Sequence, residues 1–193
     1  DRAMRAGDWQ RLTMHSWLGA DVAGTQLGLV GIGDIARAVA RRAVGFGMTV
    51  VHHNRSRTAD DSSRWVEFDE LLATSDIVSL HVPLSAETRH LIDAAALARM
   101  RPTATLVNTA RGPVVDERAL IDALAAGRLH SAALDVFEHE PLAADHPLLQ
   151  FGNVVVSPHA ASATESTRTA MVARAVANVF AILDGDPPPD AIV

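Results

Sequence analysis

Continuous apolar runs alternate along this chain with segments of helical pattern, and this alternation constrains the fold more than any other feature. Runs of Val, Leu, Ile and Ala without polar alternation are typical of parallel strands that are covered on both faces. The sequence predicts six such strands, over 26–31, 48–52, 76–81, 104–108, 131–136 and 153–157. Strands separated by helices fold into a doubly wound parallel sheet, so an α/β fold is predicted.

Helix-start and helix-stop residues place the helices between these strands. One helix is predicted over 35–44, directly after the first strand. Asp93 and Asp116 are typical N-caps for helices over 93–100 and 116–126, and Gly127 is a natural stop for the second of these. The residues Ser162-Ala163-Thr164-Glu165 form a capping-box pattern, which predicts a last helix reaching about residue 183.

Composition excludes several classes of function. The chain has 193 residues, 48% of them hydrophobic, which is enough for one sizeable core. Its net charge of -6 and the absence of a long basic run argue against nucleic acid and membrane surfaces as partners. Without cysteine it has no disulfide, no thiolate nucleophile and no cysteine-ligated zinc, and no metal site is predicted. Without an 18-residue apolar run or a targeting segment at its start, a cytoplasmic location is expected.

The segment after the first predicted strand, GIGDIA at 31–36, is a G-x-G-x-x-A pattern. Gly31 permits a tight turn, Gly33 lets a pyrophosphate approach the backbone, and Ala36 is small enough for a helix to pack on the strand. The N-terminus of that helix offers free N–H groups to phosphates. Because the motif follows a strand and opens a helix, it predicts a dinucleotide site of Rossmann type.

The end of the second predicted strand bears on which dinucleotide is bound. An acid there would bond the ribose 2′-hydroxyl of NAD. The sequence has no carboxylate at this point, and the residues present are Asn54, Arg55, Ser56 and Arg57. Two arginines and a serine would attract the 2′-phosphate of NADP through charge-assisted hydrogen bonds. NADP is therefore the preferred cofactor, with NAD possible, and a solvated basic loop is the alternative. Asp60 and Asp61 are interpreted as surface acids.

Five motifs in order make the sequence similar to a known family. They are GLVGIG at 28–33, LHVPL at 80–84, VNTARG at 107–112, LDVFEHEP at 134–141 and SPHAAS at 157–162. Together they resemble the D-isomer-specific 2-hydroxyacid dehydrogenases, and the resemblance runs from residue 5 to the last helix. The sequence departs from the family at Ala36, where a third glycine is usual, and at Asp34, where Arg is frequent. The N-terminal substrate domain of the family is also largely absent.

Three polar residues, Arg111, Glu140 and His159, each follow a predicted strand and can therefore meet at one edge of the sheet. When a hydride reaches a keto carbon, the carbonyl oxygen needs a proton, which a protonated His can supply. A neighbouring carboxylate favours the imidazolium, and an Arg can polarise the carbonyl or bind a carboxylate. By the resemblance, Arg111 binds substrate, His159 is the acid/base and Glu140 is its partner. Taken singly, each would be interpreted as a structural or solvated residue.

The resemblance also implies contacts with the cofactor. Val82 and Pro83 would flank the adenosine, with Thr88 nearby, and Asp135 would accept from the nicotinamide carboxamide; the alternative for Asp135 is a carboxylate that orients its loop. The full predicted cofactor set is Gly31, Gly33, Asp34, Ile35, Asn54, Arg55, Ser56, Arg57, Val82, Pro83, Thr88, Thr109, Ala110, Arg111, Asp135, His159, Ala161 and Ser162.

Three functions are consistent with these residues. The first is an NADP-preferring reductase of a small 2-keto acid, which would run in reverse on a D-2-hydroxy acid and would resemble glyoxylate/hydroxypyruvate reductases. The second is a related enzyme acting on formate or phosphite; Glu140 argues against it, because formate enzymes of the family usually carry Gln there. The third is a cofactor-sensing binding module without turnover, like the corepressors that share this fold.

The first eighteen residues carry more apolar surface than a solvated linker would. Their large apolar residues include Met4, Trp9, Leu12, Met14 and Trp17. By the resemblance, 1–18 is a connecting helix and arm that packs across a twofold axis, so a homodimer is predicted. Alternatively the segment folds back on its own sheet or on the substrate domain. The predicted organisation is this arm, an NAD(P)-binding domain over 19–161, and a C-terminal helix and tail over 162–193.

Overall fold

The fold is known from a computed structural model, which describes residues 2–9, 13–14, 18–57, 59–60 and 62–191. The described residues form the strands β1 (Gln26–Val30), β2 (Thr49–His53), β3 (Arg64–Trp65), β4 (Ile77–Leu80), β5 (Thr105–Asn108), β6 (Ser131–Leu134) and β7 (Val154–Val156). All neighbouring pairs are parallel, in the order β3-β2-β1-β4-β5-β6-β7. This order confirms the doubly wound sheet and puts its topological switch point between β1 and β4.

The described helices are α1 (Arg2–Ala6), α2 (Asp34–Gly45), α3 (Phe68–Thr74), α4 (Ala94–Arg99), α5 (Glu117–Ala125) and α6 (Glu165–Asp184). Two predicted N-caps are confirmed, because the carboxylates of Asp93 and Asp116 accept from backbone N–H groups at 2.8 and 2.9 Å. Gly127 follows α5 with a φ of +63°, a left-handed conformation that glycine adopts without strain.

The capping box predicted at Ser162 is wrong, because α6 begins later. Thr164 is the N-cap, and its hydroxyl accepts from the backbone N–H of Thr167 at 3.2 Å. The carbonyl of Ser162 instead accepts from the N–H of Thr164 at 2.8 Å, which closes a turn ahead of the helix. Ser162 and Thr164 are both good capping residues, and this turn decides between them.

Two elements, β3 and α3, were not predicted. β3 has two residues, which pair with β2 through Val51 and His52, and α3 has seven. Neither is long enough to display a clear hydrophobic period, so the pattern of apolar residues provides no signal for them.

Burial differs across the width of the sheet. β1, β2 and β4 are buried along most of their length, because α2 packs on one face and α3 and α4 belong to the core on the other. Along β5 and β6 buried residues alternate with half-buried ones, and Val155 of β7 is 69% exposed. The expectation that all six strands are covered on both faces therefore holds only for the central ones.

Gly112 lies where two backbone segments touch, and this contact leads to a stability prediction. A Cβ at Gly112 would lie 1.9 Å from the carbonyl carbon and oxygen of Phe137, which is backbone and cannot rotate away. We expect Gly112→Ala to lower the free energy of unfolding by about 1–3 kcal/mol through overpacking. Denaturant unfolding followed by circular dichroism measures this change.

Gly45 provides the matched control for that substitution. It ends α2, and a Cβ there would meet nothing within 4 Å. Gly45→Ala should leave stability unchanged or raise it, since alanine favours a helix by about 1 kcal/mol over glycine. A Gly112→Ala variant as stable as the unmodified protein would contradict the contact between the two backbones.

Candidate active site

The glycine loop after β1 has the geometry that a pyrophosphate requires. Gly31 has a φ of +92°, and a Cβ on it would lie 2.9 Å from the backbone of His81, so glycine is needed here. Gly33 is the N-cap of α2, has no side chain to occupy the helix N-terminus, and borders open space. Ala36 is fully buried against the sheet. The loop therefore presents bare backbone and free helix N–H groups to a ligand, which fits a dinucleotide phosphate.

A cavity of about 460 Å³ opens at the carboxyl ends of β4 and β5, beside the switch point. Its lining residues are Ile35, Leu80, His81, Val82, Pro83, Leu84, Thr109, Ala110 and Arg111. The structure thus brings together predicted cofactor residues that follow β1, β4 and β5. Ligands of open α/β sheets bind at this place in the fold.

Thr88 has a different position from the other predicted cofactor residues of this region. Its hydroxyl donates to the carbonyl oxygen of Pro83 at 2.6 Å and accepts from the N–H of Ser85 at 2.8 Å. These bonds close the turn that follows Pro83. Thr88 therefore shapes the wall of the cavity without lining it.

The basic segment after β2 is exposed, as a phosphate-binding loop must be. Arg55, Ser56 and Arg57 are all on the surface. The guanidinium carbon of Arg57 lies 4.9 Å from the centre of the Trp65 ring, a cation–π contact. The indole N–H of Trp65 also points at the carbonyl oxygen of Asn54, at a long 3.5 Å. Trp65 therefore supports both ends of the segment, a role that was missed because β3 was not predicted.

Asp60 is not the surface acid that the sequence suggested, since only 8% of its side chain is exposed. Its carboxylate accepts from the N–H of Ser62 at 2.9 Å, the hydroxyl of Ser63 at 3.0 Å and Nε of Arg37 at 3.1 Å. Burial acts to raise the pKa of Asp60, but these hydrogen bonds outweigh burial and lower that pKa. The group is therefore an anchored carboxylate, while Asp61 lies outside the described residues.

His159 and Glu140 form the predicted pair. Nδ1 of His159 lies 2.7 Å from Oε2 of Glu140, and Oε1 accepts from the N–H of Phe137 at 3.0 Å. The bond with His159, followed by that from Phe137, lowers the pKa of Glu140, so the carboxylate is charged at neutral pH. With Nδ1 engaged, Nε2 is the ring nitrogen that can exchange a proton with a ligand.

Asp135, at the end of β6, organises the turn that carries His159. Its buried carboxylate accepts from the hydroxyl of Ser157 and from the N–H groups of Ala160 and Ala161 at 2.9 and 3.0 Å. Its carbonyl oxygen accepts from the N–H of His159 at 2.9 Å. These contacts support the loop-orienting interpretation. A carboxylate has more acceptor sites than these three bonds use, so the carboxamide contact stays a prediction.

Arg111 lies in a turn that the side chain of Asn108 stabilises through two hydrogen bonds. The side chain of Asn108, buried at the end of β5, donates to the carbonyl of Arg111 at 2.9 Å and accepts from the N–H of Ala110 at 3.0 Å. Asn108 is not among the predicted site residues, although a polar residue at the buried end of an apolar strand was the available signal.

The three candidate catalytic residues follow adjacent strands of one parallel sheet. Arg111 comes after β5, Glu140 after β6 and His159 after β7, so all three start from the same edge. An imidazole, its carboxylate partner and a guanidinium therefore follow strands that end at the same edge of the sheet as β1, which the glycine loop follows. This arrangement can supply a proton and neutralise negative charge next to a bound dinucleotide.

The remaining histidines near this edge have other roles. Burial lowers the pKa of His81, whose Nε2 lies 3.0 Å from the hydroxyl of Ser79, which agrees with a packing role. His139, beside Glu140, is exposed. Within the described ranges no three His, Asp or Glu residues are grouped as metal ligands. Nor does any helix in the described part of the chain have the length and apolar character to cross a membrane.

Comparison with known proteins identifies what the chain is similar to. Residues 1–161 match the model of the D-isomer specific 2-hydroxyacid dehydrogenase NAD binding domain. The chain is 47% identical to a glyoxylate reductase of Korarchaeum cryptofilum, covering 100% of this chain and 59% of that protein. It is also 47% identical to glyoxylate/hydroxypyruvate reductase B of Klebsiella pneumoniae, covering 95% of this chain and 58% of the relative. The chain thus spans less than two thirds of the length of these curated relatives.

Solved structures give the same fold and two different nucleotides. The TT0316 protein of Thermus thermophilus matches with a TM-score of 0.95 and 44% identity, over all of this chain and 61% of that one. An acyclic imino acid reductase (Bsp5), with a TM-score of 0.89 and 31% identity, is in complex with NADPH and D-Arg; this chain covers 61% of it. A D-lactate dehydrogenase of Lactobacillus jensenii matches with a TM-score of 0.88 and 29% identity. Its structure is with NAD⁺, and this chain covers 62% of that protein's chain. All of this chain is matched in both.

Proposed function

The chain belongs to the D-isomer-specific 2-hydroxyacid dehydrogenase family, and we propose that it is the nucleotide-binding part of a reductase of small 2-keto acids. Glyoxylate and hydroxypyruvate are the proposed substrates, and D-2-hydroxy acids are the products. The observation that carries the proposal is the 2.7 Å pair of His159 and Glu140 at the sheet edge where Arg111 lines the cavity. Because the chain is shorter than its relatives, this activity is proposed for the whole protein.

In the proposed reaction the cofactor supplies the hydride, and the side chains supply the proton and the positive charge. A bound NADPH supplies the hydride that reaches the keto carbon. Protonated His159 gives its Nε2 proton to the carbonyl oxygen, so that a hydroxyl forms, and Glu140 holds the imidazolium in place. Arg111 polarises the carbonyl or binds the substrate carboxylate. In the oxidative direction neutral His159 takes the hydroxyl proton.

The cofactor is proposed to be held by the residues that follow each strand. Gly33 and the N–H groups of Asp34 and Ile35 contact the pyrophosphate, and Val82 and Pro83 contact the adenosine. Arg55, Ser56 and Arg57 bind the 2′-phosphate, which makes NADP the preferred form. The exposure of this basic segment and the absence of an acid among residues 54–57 support the preference.

A reductase is favoured over a cofactor-sensing module without turnover. The named relatives with a stated function are reductases or dehydrogenases, which supports turnover. The pair of His159 and Glu140 agrees with turnover but does not separate the two functions, because the corepressors that share this fold keep the same residues. The test is NADPH oxidation by a full-length protein with glyoxylate and with hydroxypyruvate. Tight NADPH binding without turnover of either acid would support the sensing module.

The pH profile should report the pair of His159 and Glu140. The charged carboxylate, whose pKa is lowered by its bond with His159, stabilises the protonated ring in return. Reduction requires the protonated ring of His159, so the reductase activity persists to higher pH while the carboxylate of Glu140 is charged. Glu140→Gln should therefore move the alkaline limb of the reduction profile to lower pH. An unchanged limb, with chemistry shown to be rate-limiting, would remove Glu140 from this role.

A homodimer and the division into arm, NAD(P)-binding domain and C-terminal tail are also proposed. Within the arm Met4, Trp9 and Met14 are exposed in the single chain, Trp9 to 58%, while Leu12 and Trp17 lie outside the described residues. Such apolar exposure favours a partner surface, with both tryptophans largely buried in the dimer. The cytoplasmic location stays a prediction.

Sedimentation of this chain at micromolar concentration tests the dimer. We expect a mass near twice 20.5 kDa, because the proposed interface belongs to the arm and not to the substrate domain. A mass near 20.5 kDa would contradict it. A Trp9→Ala variant should shift the equilibrium toward the single chain.

A further inference from the structure

We infer that Arg37 and Asp60 form a selectivity pair that withdraws a carboxylate from the ribose site and so permits a 2′-phosphate. The pair is not part of the predicted site, and neither residue is needed for the proton transfer proposed above. The inference rests on the proposed function, because it concerns discrimination between NADPH and NADH by that same nucleotide site.

The pair joins two segments that the proposed function assigns to the cofactor. Arg37 lies in the first turn of α2, directly after the glycine loop, and its N–H donates to the carbonyl of Gly33 at 2.9 Å. Asp60 lies three residues after Arg57 in the segment that follows β2. The 3.1 Å contact between Nε of Arg37 and Oδ2 of Asp60 therefore connects the pyrophosphate loop to the 2′-phosphate loop.

The carboxylate of Asp60 is held from the sheet side as well. Ser63 donates to Oδ1 of Asp60 and its oxygen lies 2.8 Å from Nδ1 of His52, which is fully buried in β2. The N–H of Ser62 donates to the same Oδ1. Both oxygens of Asp60 are thus engaged, one toward α2 and one toward its own loop, and the side chain is directed away from solvent.

The charge of this carboxylate explains why its placement matters. An acid after β2 bonds the 2′-hydroxyl of NAD and repels the 2′-phosphate of NADP. Asp60 is charged, since its hydrogen bonds lower its pKa, but the guanidinium of Arg37 neutralises that charge locally. Asp60 then does not cancel the positive charge of the exposed Arg55 and Arg57 in the same loop. Without Arg37, the site would gain an uncompensated negative charge next to the phosphate loop.

The experiment measures dissociation constants of NADPH and NADH for the 193-residue chain by fluorescence titration, so it requires no substrate. The wild-type ratio of the two constants tests the proposed NADP preference. The change of that ratio on substitution tests the selectivity pair. Equal dissociation constants of NADPH and NADH for the wild-type protein would contradict the proposed NADP preference. An unchanged ratio of these constants in the Arg37→Ala variant would contradict the selectivity pair.

Arg37→Ala should weaken NADPH binding by about fivefold or more and change NADH binding less than about twofold, because the lost charge acts chiefly on the phosphate. Adding Asp60→Asn to Arg37→Ala removes the freed carboxylate and should return NADPH binding to within about twofold of wild type. The single substitution Asp60→Asn leaves Arg37 in place and should not weaken NADPH binding.

Arg41→Ala is the matched control, since Arg41 is an exposed arginine one turn further along α2. Its loss changes the net charge equally and should leave the coenzyme ratio unchanged. Equal effects of Arg37→Ala and Arg41→Ala, or no recovery in the double variant, would overturn the inference. Thermal unfolding of each variant distinguishes a loss of binding from a loss of fold. If Arg37→Ala does not fold, Arg37→Gln replaces it, and the same change in the ratio of the two dissociation constants is expected.

Discussion

His159→Ala is expected to lower the rate of 2-keto acid reduction by about 10²–10⁴-fold, the usual contribution of a positioned proton donor. The physical reason is that the carbonyl oxygen would have to take its proton from water while negative charge develops on it. NADPH should still bind, because the glycine loop, the cavity after β4 and the basic segment are all formed by other residues. Single-turnover kinetics at saturating NADPH measure the chemical step directly.

His139 allows a control for this substitution. It lies beside Glu140 and is exposed, with no place in the proposed mechanism. His139→Ala should keep the rate within about twofold of wild type, since a solvated side chain away from a site contributes little. If His159→Ala also retained a rate within about tenfold of wild type, proton donation by His159 would be excluded.

Arg55→Ala combined with Arg57→Ala is expected to weaken NADPH binding by about tenfold or more. Each arginine would lose a charge-assisted hydrogen bond to the 2′-phosphate, a contact of about 1.5–3 kcal/mol. NADH lacks that phosphate, so its dissociation constant should change far less. The contact of Arg57 with Trp65 moderates the effect, because part of its charge is already engaged by the indole ring.

The control for this double variant removes the same charge elsewhere. Arg41→Ala with Arg64→Ala takes two exposed arginines from α2 and β3, of which Arg64 bonds Glu70 at 3.3 Å. NADPH and NADH should then be affected alike and weakly, since exposed charges are screened by salt. Equal weakening of both coenzymes in the Arg55 and Arg57 variant would reject NADP preference and leave the solvated basic loop as its explanation.

The predictions that succeeded rest on local signals. The six apolar runs marked the strands to within two residues at every end, because the strands of a parallel sheet packed between helices are largely apolar. Asp93, Asp116 and Gly127 marked helix ends, since capping depends on residues next to the helix. Gly31 and Ala36 were identified by the tight turn and close packing that their small size permits.

Three of the errors and omissions come from contacts that link distant parts of the chain. The sequence indicates a surface acid at Asp60, and only the fold brings it to Arg37, which is 23 residues earlier. Trp65 meets Arg57 because β3 lies beside β2, and Gly112 meets Phe137 because two turns approach at the sheet edge. Ser162 lost the capping position to Thr164 through a turn that no sequence pattern marks.

The sequence by itself thus determined the strand and helix succession, the glycine loop and the residue types available for proton transfer, because these follow from periodicity and from the chemistry of single side chains. Only the tertiary structure decided which carboxylates are anchored and which polar groups share a turn. Asp60, Asn108 and Asp135 look alike as isolated polar residues in the chain. Asp60 bonds Arg37 of α2 and Asp135 bonds the turn after β7, so the burial and charge of both carboxylates depend on the packed sheet. Asn108 bonds its own turn, and only its burial comes from the sheet.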